Sequence, residues 1–253
     1  MNLIKIQTDL ISPRSNLTTI VLKAINSQKL EVKDGDILAL ASKAVAISED
    51  KVKNLASVKP SKKAEKIASR FGLDPRFVEI VLLEADQVIW GVPKALLTQK
   101  NNILIPNAGV DQKNSPKGYV TLWPTSPDRT AEKIRDEIFR KTGKHIGVLI
   151  IDSRITPLRM GTTGIALGLA GFEPIRDHRT GKDLYGRSIS VTTHAVADDL
   201  ASAAHLIMGE SSEQIPAVLI RNAPVAFAKA DGSALIIPRE NCLFASHFGP
   251  ESL

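Results

Sequence analysis

Three short polar clusters in the sequence each follow an apolar run that predicts a strand. They are ASK (41–43), NAGVDQKN (107–114) and DSR (152–154). Loops at strand ends often converge on a site held by a rigid scaffold, so the three clusters are candidates for one site. Asp111 and Asp152, if brought together, would bind a hard divalent cation through oxygen ligands. Lys43 is a point charge suited to a phosphate.

The loop 107–114 carries further groups that suit a nucleotide or a metal. Gly109 permits close backbone approach, and the amides of Asn107 and Asn114 can hold ribose, phosphate or metal-bound water. A predicted helix also ends at Gly209, and its polar continuation includes Glu210 as a possible further ligand. Each residue alone has an ordinary structural explanation, such as a turn cap or a solvated lysine, and the functional interpretation depends on their convergence.

Standard nucleotide motifs are missing from the sequence. There is no G-x-x-x-x-G-K-[ST] and no G-x-G-x-x-G that opens a helix after a strand. The glycine-rich run 161–171, GTTGIALGLAG, lacks the lysine and the spacing of such motifs. It is more typical of a turn or strand that needs close backbone contact.

Composition limits the class of protein. The 253 residues are 43% hydrophobic and 24% charged, which allows a substantial core, and the single cysteine excludes a disulfide framework. A net charge of +6 favours anionic partners, whereas an aromatic content of 4% argues against single-stranded nucleic acid. The sequence shows no stretch of eighteen apolar residues and no signal peptide, so we expect a cytoplasmic protein without membrane contact.

The hydrophobic periodicity predicts a mixed α+β fold with at least six strands and does not give their order. We expect one unit over 1–253, with a smaller subdomain around 155–195 as a further possibility. Ser15, Ser61, Asp74 and Ser126 are the predicted helix caps. Predicted helices cover 15–28, 61–72, 74–85, 126–143 and 193–210, and predicted strands lie at 37–41, 87–90, 95–98, 102–105, 119–123, 145–153 and 217–222.

Several of these segments together resemble one family, the coenzyme F-420-0: γ-L-glutamyl ligases. The resemblance covers about 35–222, and its segments occur in the order found in the family. The most specific pieces are GIALGLAGFEPIRDHRTGKDLYGR (164–187) and AVADDLASAAHLIMGE (195–210). Further matching pieces are DGDILALASK, DPRFVEIVLLEA, NAGVDQKN, PDRTAEKIR, GVLIIDS and PAVLIRN.

The resemblance implies an amide ligase that uses GTP. In such enzymes the acceptor carboxylate is phosphorylated to an acyl phosphate, and L-glutamate then displaces the phosphate. Mn²⁺ or Mg²⁺ sits among the nucleotide phosphates. The family fold is a mixed-sheet α+β arrangement of its own, neither P-loop nor Rossmann, and the enzymes are intertwined homodimers.

Carried onto this chain, the family pattern assigns roles to residues in several loops. The catalytic residues would be Lys43, Asp111 and Asp152. The metal ligands would be Asp111, Asp152, Ser153 and Glu210. Nucleotide contacts would come from Ile11, Ser12, Pro13, Arg14, Ser42, Lys43, Asn114, Met208, Gly209, Glu210, Ser211, Ser212, Glu213, Gln214 and Ile215.

The chain departs from the family pattern at identifiable positions. A second lysine that often follows the SK pair is absent, because Ala46, Ile47 and Ser48 stand there. The family usually shows D-T-F-G-R-P-W-R where this chain has DSRITPLR, with Ile155 for the glycine and Leu158 for the tryptophan. Glu210 stands where glutamine is more common. Losing the tryptophan should weaken stacking on a deazaflavin acceptor, while metal and GTP binding should survive.

Two other classes of function stay open at this level. The same carboxylates would serve a metal-dependent phosphohydrolase, which would not require an amine substrate. A basic RNA-binding protein would instead need its lysines on one face and would bind with steep salt dependence.

Overall fold

A five-stranded sheet forms the centre of the protein in the computed structural model, which describes residues 1–245. The strands, numbered along the chain, are β1 (Asn2–Ile6), β2 (Ile37–Ala41), β8 (Gly147–Ile155), β9 (Thr162–Ala170) and β12 (Ala217–Arg221). Their order is β1-β12-β2-β8-β9. β2 and β8 run parallel, and the other neighbours in this sheet are antiparallel.

The sheet is buried on both faces because helices cover each side. α1 (Leu17–Ser27), α2 (Ser42–Ser48) and α5 (Pro127–Thr142) pack on one face, and α6 (Val196–Met208) packs on the other. The apolar runs of β2 and β8 match this burial, since a strand with both faces covered has no reason to alternate polar and apolar residues. Ile150 contacts the α1–α5 side and Leu149 the α6 side, and both are fully buried.

Local capping explains most of the helix boundaries. α3 (Lys62–Phe71) follows Ser61, whose hydroxyl accepts a bond from the Ala64 amide, and ends at Gly72. α4 (Pro75–Glu84) follows Asp74 in the same way. α5 begins after Ser126 and ends before Gly143, although the Ser126 side chain makes no capping bond. These predicted boundaries are confirmed.

The predicted cap of the first helix was wrong by one residue. The N-cap is Asn16, whose side-chain oxygen accepts from the Thr19 amide at 2.7 Å. Ser15 instead donates its hydroxyl to the backbone oxygen of Ser12 at 2.7 Å. The two neighbouring residues are both good capping types, so the sequence alone could not choose between them.

A second compact region lies between β2 and α5 in the chain. It contains α3, α4, a three-stranded antiparallel sheet and a two-stranded ribbon around an apolar cluster of its own. The sheet is β4 (Gln87–Val92), β5 (Ala95–Lys100) and β6 (Ile103–Pro106), and the ribbon pairs β3 (Val52–Asn54) with β7 (Tyr119–Thr121). The loop 107–116 leaves this sheet and returns toward the ends of β2 and β8, which sets up the site.

The glycine-rich run 161–171 forms β9 and packs closely on both sides of the sheet. A Cβ at Gly164 would lie 2.3 Å from the Ala201 carbonyl of α6, and one at Gly168 would lie 2.5 Å from the Asp128 amide of α5. A register shift between Ile150 and Ile151 of β8 lets these two glycines face opposite helices. The interpretation of this run as a close-packed strand is confirmed.

The segment between β9 and α6 is much more exposed than the sheet. It includes the short ribbon of β10 (Arg176–Asp177) and β11 (Thr193–His194). The subdomain suggested near 155–195 stays a prediction, and residues 246–253 of the expected single unit lie outside the described residues. Within 1–245, none of the helices is both long and apolar enough to cross a membrane.

The predicted fold class is confirmed as a mixed α+β arrangement. The central sheet combines one parallel pair with antiparallel neighbours, and the helices lie on both faces. Nothing in this topology indicates a Rossmann or P-loop fold.

Candidate active site

A cavity of about 640 Å³ opens where the parallel pairing of β2 and β8 ends, after Ala41 and Ile151. This is the usual place for a ligand site in a sheet with parallel strands. Loops from 8–13, 111–116 and 209–216 close around it. Among its lining are most of the residues singled out in the sequence, namely Ile11, Pro13, Ser42, Lys43, Asp111, Asn114, Asp152, Ser153, Met208, Gly209, Glu210, Ser211, Glu213, Gln214 and Ile215.

Three of the residues assigned to the nucleotide do not line this cavity. Ser12 and Ser212 are absent from its walls, and so is Arg14. The Arg14 guanidinium binds Asp50 at 2.8 Å, and its side chain is 83% exposed. Their assignment as nucleotide contacts stays a prediction.

Lys43 and Asp111 meet inside the cavity. Lys43 lies in the first turn of α2, since the helix follows β2 without a loop. Its ammonium is 2.6 Å from the Asp111 carboxylate and also donates to the Lys113 carbonyl. The lysine is about three-quarters buried, so this contact is partly shielded from solvent. The pair joins the end of β2 to the loop 107–116 across 68 positions of sequence.

A second ion pair closes the opposite wall. The Lys113 ammonium is 2.8 Å from Glu210, which also accepts from Thr162 and contacts His205, each at 2.7 Å. Burial alone would raise the pKa of Glu210, but these three partners lower it to about 2. The bond to Glu210 raises the pKa of Lys113. Both groups are therefore charged at neutral pH.

Asp152 lies within β8 rather than after it, because β8 continues through Ile155 beside β9. The interpretation of DSR as a polar cluster beyond the strand end was therefore wrong. One Asp152 oxygen accepts from the Ser153 amide at 2.8 Å, and the other accepts from the Trp123 indole.

The charge state of Asp152 reflects opposing effects. Burial raises the pKa of its carboxyl. The bonds from the Ser153 amide and the Trp123 indole lower it. So do a bond from the Ser42 hydroxyl and the positive charge of Lys43, which places Asp152 in the same electrostatic environment as the Lys43–Asp111 pair.

Unusual backbone conformations shape the loops around the cavity. Asn107 and Ala108 both have φ of +53°, and Gly109 follows at +73°. Such angles are uncommon for residues with a side chain, and here they turn the chain sharply before Asp111. Gly209 has φ of +75°, and a Cβ there would lie 2.3 Å from the Glu213 carboxyl. Glycine is thus required for the tight turn that opens the loop 209–215.

Asn114 joins two walls of the cavity, the loops 111–116 and 209–216, through a direct bond. Its side-chain amide donates to the Ser211 carbonyl at 2.6 Å. The same two loops are joined by Lys113 and Glu210. A ligand that enters between them must therefore meet several polar groups with fixed positions.

The oxygen groups of the cavity suit a hard divalent cation by their chemistry. They are the carboxylates of Asp111, Asp152 and Glu210 with the hydroxyl of Ser153. Within 1–245, however, no three Asp, Glu, His or Cys side chains converge into a ready metal cluster. Ammonium groups pair with two of the carboxylates instead. The metal-ligand assignment stays a prediction.

Four contacts at the site were missed in the sequence. Lys113, Trp123, Thr162 and His205 bond directly to Glu210 or Asp152. His205 and Glu210 lie five positions apart across the end of α6, which was a weak local signal. Trp123 and Thr162 had none, because their partners are 29 and 48 positions away.

The fold and the site together define a class of protein. It is a mixed-sheet α+β protein whose cavity, beside two parallel strands, contains carboxylates and lysine side chains. Residues 5–222 match the family model described as "F420-0:Gamma-glutamyl ligase", and the chain belongs to this family.

Several curated proteins are similar to the chain over most of its length. A coenzyme F420:L-glutamate ligase of Methanothermobacter thermautotrophicus is 37% identical over 238 residues, covering 93% of this chain and 94% of the relative. The protein of that name from Methanocaldococcus jannaschii is 40% identical over 214 residues, covering 84% and 86%. A third from Methanococcus maripaludis is 37% identical over 245 residues, covering 96% and 97%.

Proposed function

We propose that this chain is a GTP- and metal-dependent ligase that joins L-glutamate to the carboxylate of F-420-0 or a related acceptor. The ligase family and the names of the relatives support the substrates. One observation supports the use of a nucleotide. A single cavity is lined by Lys43, Asp111, Asn114, Asp152 and residues of the loop 208–215. Its volume of about 640 Å³ lies within the range of small-molecule sites.

The reaction would proceed in two steps. An oxygen of the acceptor carboxylate attacks the γ-phosphorus of GTP, and the bond to the β–γ bridging oxygen breaks to release GDP. The resulting acyl phosphate is attacked at its carbonyl carbon by the amine of L-glutamate. Phosphate leaves with the carbon–oxygen bond electrons, and the amine gives up a proton as the amide forms.

The cavity supplies what phosphoryl transfer needs most, which is charge neutralisation and positioning. The Lys43 ammonium has a free donor beyond its bonds to Asp111 and the Lys113 carbonyl, and it lies deep enough to be partly shielded. Lys113 brings a second cation to the mouth of the cavity. Asn114 and the turn at Gly209 bring amide groups that suit phosphate or ribose oxygens.

Mg²⁺ or Mn²⁺, when bound, would neutralise charge on the phosphate oxygens. Asp111, Asp152, Ser153 and Glu210 are the residues that would hold it. The residues' own task is then to present fixed oxygens, and the bonds to Asp152 from Ser153 and Trp123 already hold that carboxylate in one orientation.

A homodimer is also part of the proposal. Large apolar side chains on two segments beyond β8 are almost fully exposed, among them Leu158, Met160, Leu184 and Tyr185. Exposed apolar patches of this kind are typical of interaction surfaces. Light scattering should give twice the mass of one chain, and Met160→Lys with Leu184→Lys should reduce it to that of one chain. Leu83→Lys, which changes an exposed leucine of α4, is the control.

A turnover assay tests the proposed reaction. GTP, Mg²⁺, F-420-0 and L-glutamate are supplied together and then omitted one at a time, and the acceptor is analysed by mass spectrometry. The expected product is the acceptor carrying added glutamate, formed only when all four are present. GTP cleavage that is equally fast without acceptor and glutamate would indicate a phosphohydrolase instead.

A further inference from the structure

Trp123 contacts both Asp152 and the loop that carries Asp111. It follows β7, is 5% exposed, and donates its indole N–H to one oxygen of Asp152. The other Asp152 oxygen is fixed by the Ser153 amide at 2.8 Å. Each carboxylate oxygen therefore has a protein donor, and the Ser42 hydroxyl is a third donor to the same carboxylate. Of the roughly four lone-pair sites of a carboxylate, these bonds leave about one for a ligand.

The same indole packs against the loop that carries Asp111. A Cβ on Gly109 would lie 2.2 Å from the indole nitrogen, so only glycine fits beside the ring. The left-handed turn before Gly109 is anchored on β5 by two bonds. The Leu96 amide donates to the Asn107 side chain at 2.9 Å, and the Ala108 amide donates to the Thr98 hydroxyl at 2.7 Å. Asp111 follows Gly109 by two positions, so the ring position affects where this loop can lie.

Packing holds only part of the ring. The Lys100 ammonium lies 5.8 Å from the ring centroid and is itself held by Glu84 at 2.5 Å. Trp123 also lines a second cavity of about 390 Å³, so part of its surroundings is unfilled. The bond to Asp152 and the contact with Gly109 are therefore the constraints that fix the edge of the ring that faces the site.

We propose that Trp123 is a positioning residue that orients the Asp152 carboxylate and sets its place relative to the loop of Asp111. The proposal rests on the proposed function, since it gives the two aspartates their role. It explains why Gly109 has no side chain and why a strained turn precedes it.

The chain offers a matched control because it has two tryptophans. Trp90 lies on β4 of the three-stranded sheet, is 53% exposed and packs against Arg70. In Trp123→Phe, we expect kcat to fall roughly ten- to a hundredfold, the size typical for the loss of a group that orients a metal ligand. Mn²⁺ affinity should fall by about tenfold or more, while the KM for GTP changes by less than about threefold. Trp90→Phe should match the wild type in all three measurements.

A folded Trp123→Phe protein with unchanged kcat and Mn²⁺ affinity would overturn the proposal. So would a variant in which the KM for GTP alone changes, because that result would place the indole in nucleotide binding. Gly109→Ala should show the same fall in kcat as Trp123→Phe, since a methyl group there must displace the ring.

A second measurement needs neither turnover nor a viable Trp123 variant. With ¹⁵N-labelled tryptophan, the indole resonance of Trp123 is assigned by its persistence in Trp90→Phe. The chemical shift of this indole N–H should change in Asp152→Asn. It should stay the same in Asp9→Asn, which changes another carboxylate on the cavity wall. An indole resonance that ignores Asp152→Asn would overturn the proposal. Failure of the turnover assay alone would overturn the proposed function and leave this indole contact testable.

Discussion

Two consecutive stretches of the chain, 147–154 and 155–160, differ sharply in how their side chains are used. In the first, Ile150 and Ile151 are buried and Asp152 has a bonding partner for each oxygen. In the second, Leu158 and Met160 are fully exposed. Both stretches depart from the pattern expected for the family. Arg154 stands for its phenylalanine in the first stretch, and Ile155 and Leu158 stand for its glycine and tryptophan in the second.

This contrast shows which properties one chain supplies alone. Lys43, Asp111, Lys113, Asp152 and Glu210 each bond to another group of the chain, so the chain itself holds these charged groups in place. Leu158 and Met160, after β8, expose their apolar side chains to solvent. Such exposed apolar surface favours binding of a partner or a substrate that buries it.

The cavity side of the contrast depends most on the two aspartates. Asp111→Asn and Asp152→Asn should each lower kcat by at least about a hundredfold, comparable to the loss of one charge-stabilising group in other active sites. The change keeps side-chain shape and removes the negative charge. Turnover and melting temperature are measured together.

Asp136→Asn, on the exposed surface of α5, is the control and should behave as the wild type. If either cavity variant folds normally and keeps more than about a tenth of the activity, its aspartate has no catalytic role.

Lys43→Met should weaken GTP binding about ten- to a hundredfold, which corresponds to a charge-assisted contact of roughly 1.5–3 kcal/mol. Lys117, directly after the loop 107–116, is exposed and lies outside the cavity lining, so Lys117→Met should leave GTP affinity unchanged. Titration of GTP at one fixed salt concentration decides the matter. If both variants bind GTP with equal affinity, Lys43 only neutralises the charge of Asp111.

The parts of the fold that could be predicted are those specified by neighbouring residues. α3 and α4 have a capping side chain and a stop within a few positions of each end. α2 was missed because it follows β2 directly and its first residues, Ser42 and Lys43, have no side-chain cap before them. Its sequence therefore resembled a loop at a strand end.

The candidate site was predictable as a set of residues and not as a set of contacts. Family likeness pointed to Lys43, Asp111 and Asp152, and all three line the cavity. The pairing of Trp123 with Asp152 and Gly109 joins positions 29 and 14 residues apart, so no local periodicity reveals it. The register shift in β8 is equally invisible, since it depends on how β9 packs between two helices.

A smaller effect should follow from Glu210→Gln. The partners of Glu210 lower its pKa to about 2, so its contribution to stability is present above its usual value of 4.5 and is lost as pH falls toward 2. In Glu210→Gln this loss of stability between about pH 4.5 and 2 should be weaker. The Glu210 side chain is more than a third exposed. The free energy of unfolding at pH 7 should therefore differ between wild type and variant by no more than about 1 kcal/mol.

Thermal unfolding at several pH values measures this effect, with Glu240→Gln as an exposed control. Activity at pH 7 should persist in Glu210→Gln, because glutamine keeps an oxygen ligand. Parallel stability curves for wild type and variant over that pH range would show that the ion pair with Lys113 has no measurable effect.

The exposed side of the contrast gives the smallest expected change. Leu158→Trp restores the aromatic side chain of the family pattern and should improve the KM for F-420-0, while GTP affinity stays the same. Leu158 has φ of +55° and does not line the cavity, so any gain would come from an acceptor that extends beyond it. Leu158→Asn, which tolerates this backbone angle without adding a ring, is the control. If the unmodified protein already uses F-420-0 efficiently and the tryptophan adds nothing, acceptor recognition does not involve this position.

A crystal structure with GDP and Mn²⁺ would show whether the cavity that contains Asp111 and Asp152 is the nucleotide site. We expect GDP in the cavity beside Lys43, Asn114 and the loop 208–215. The anomalous signal of Mn²⁺ should lie within about 2.0–2.6 Å of oxygens from both Asp111 and Asp152. Nucleotide bound elsewhere, or the two carboxylates more than about 10 Å apart and thus too distant to share ions at such bond lengths, would contradict the account.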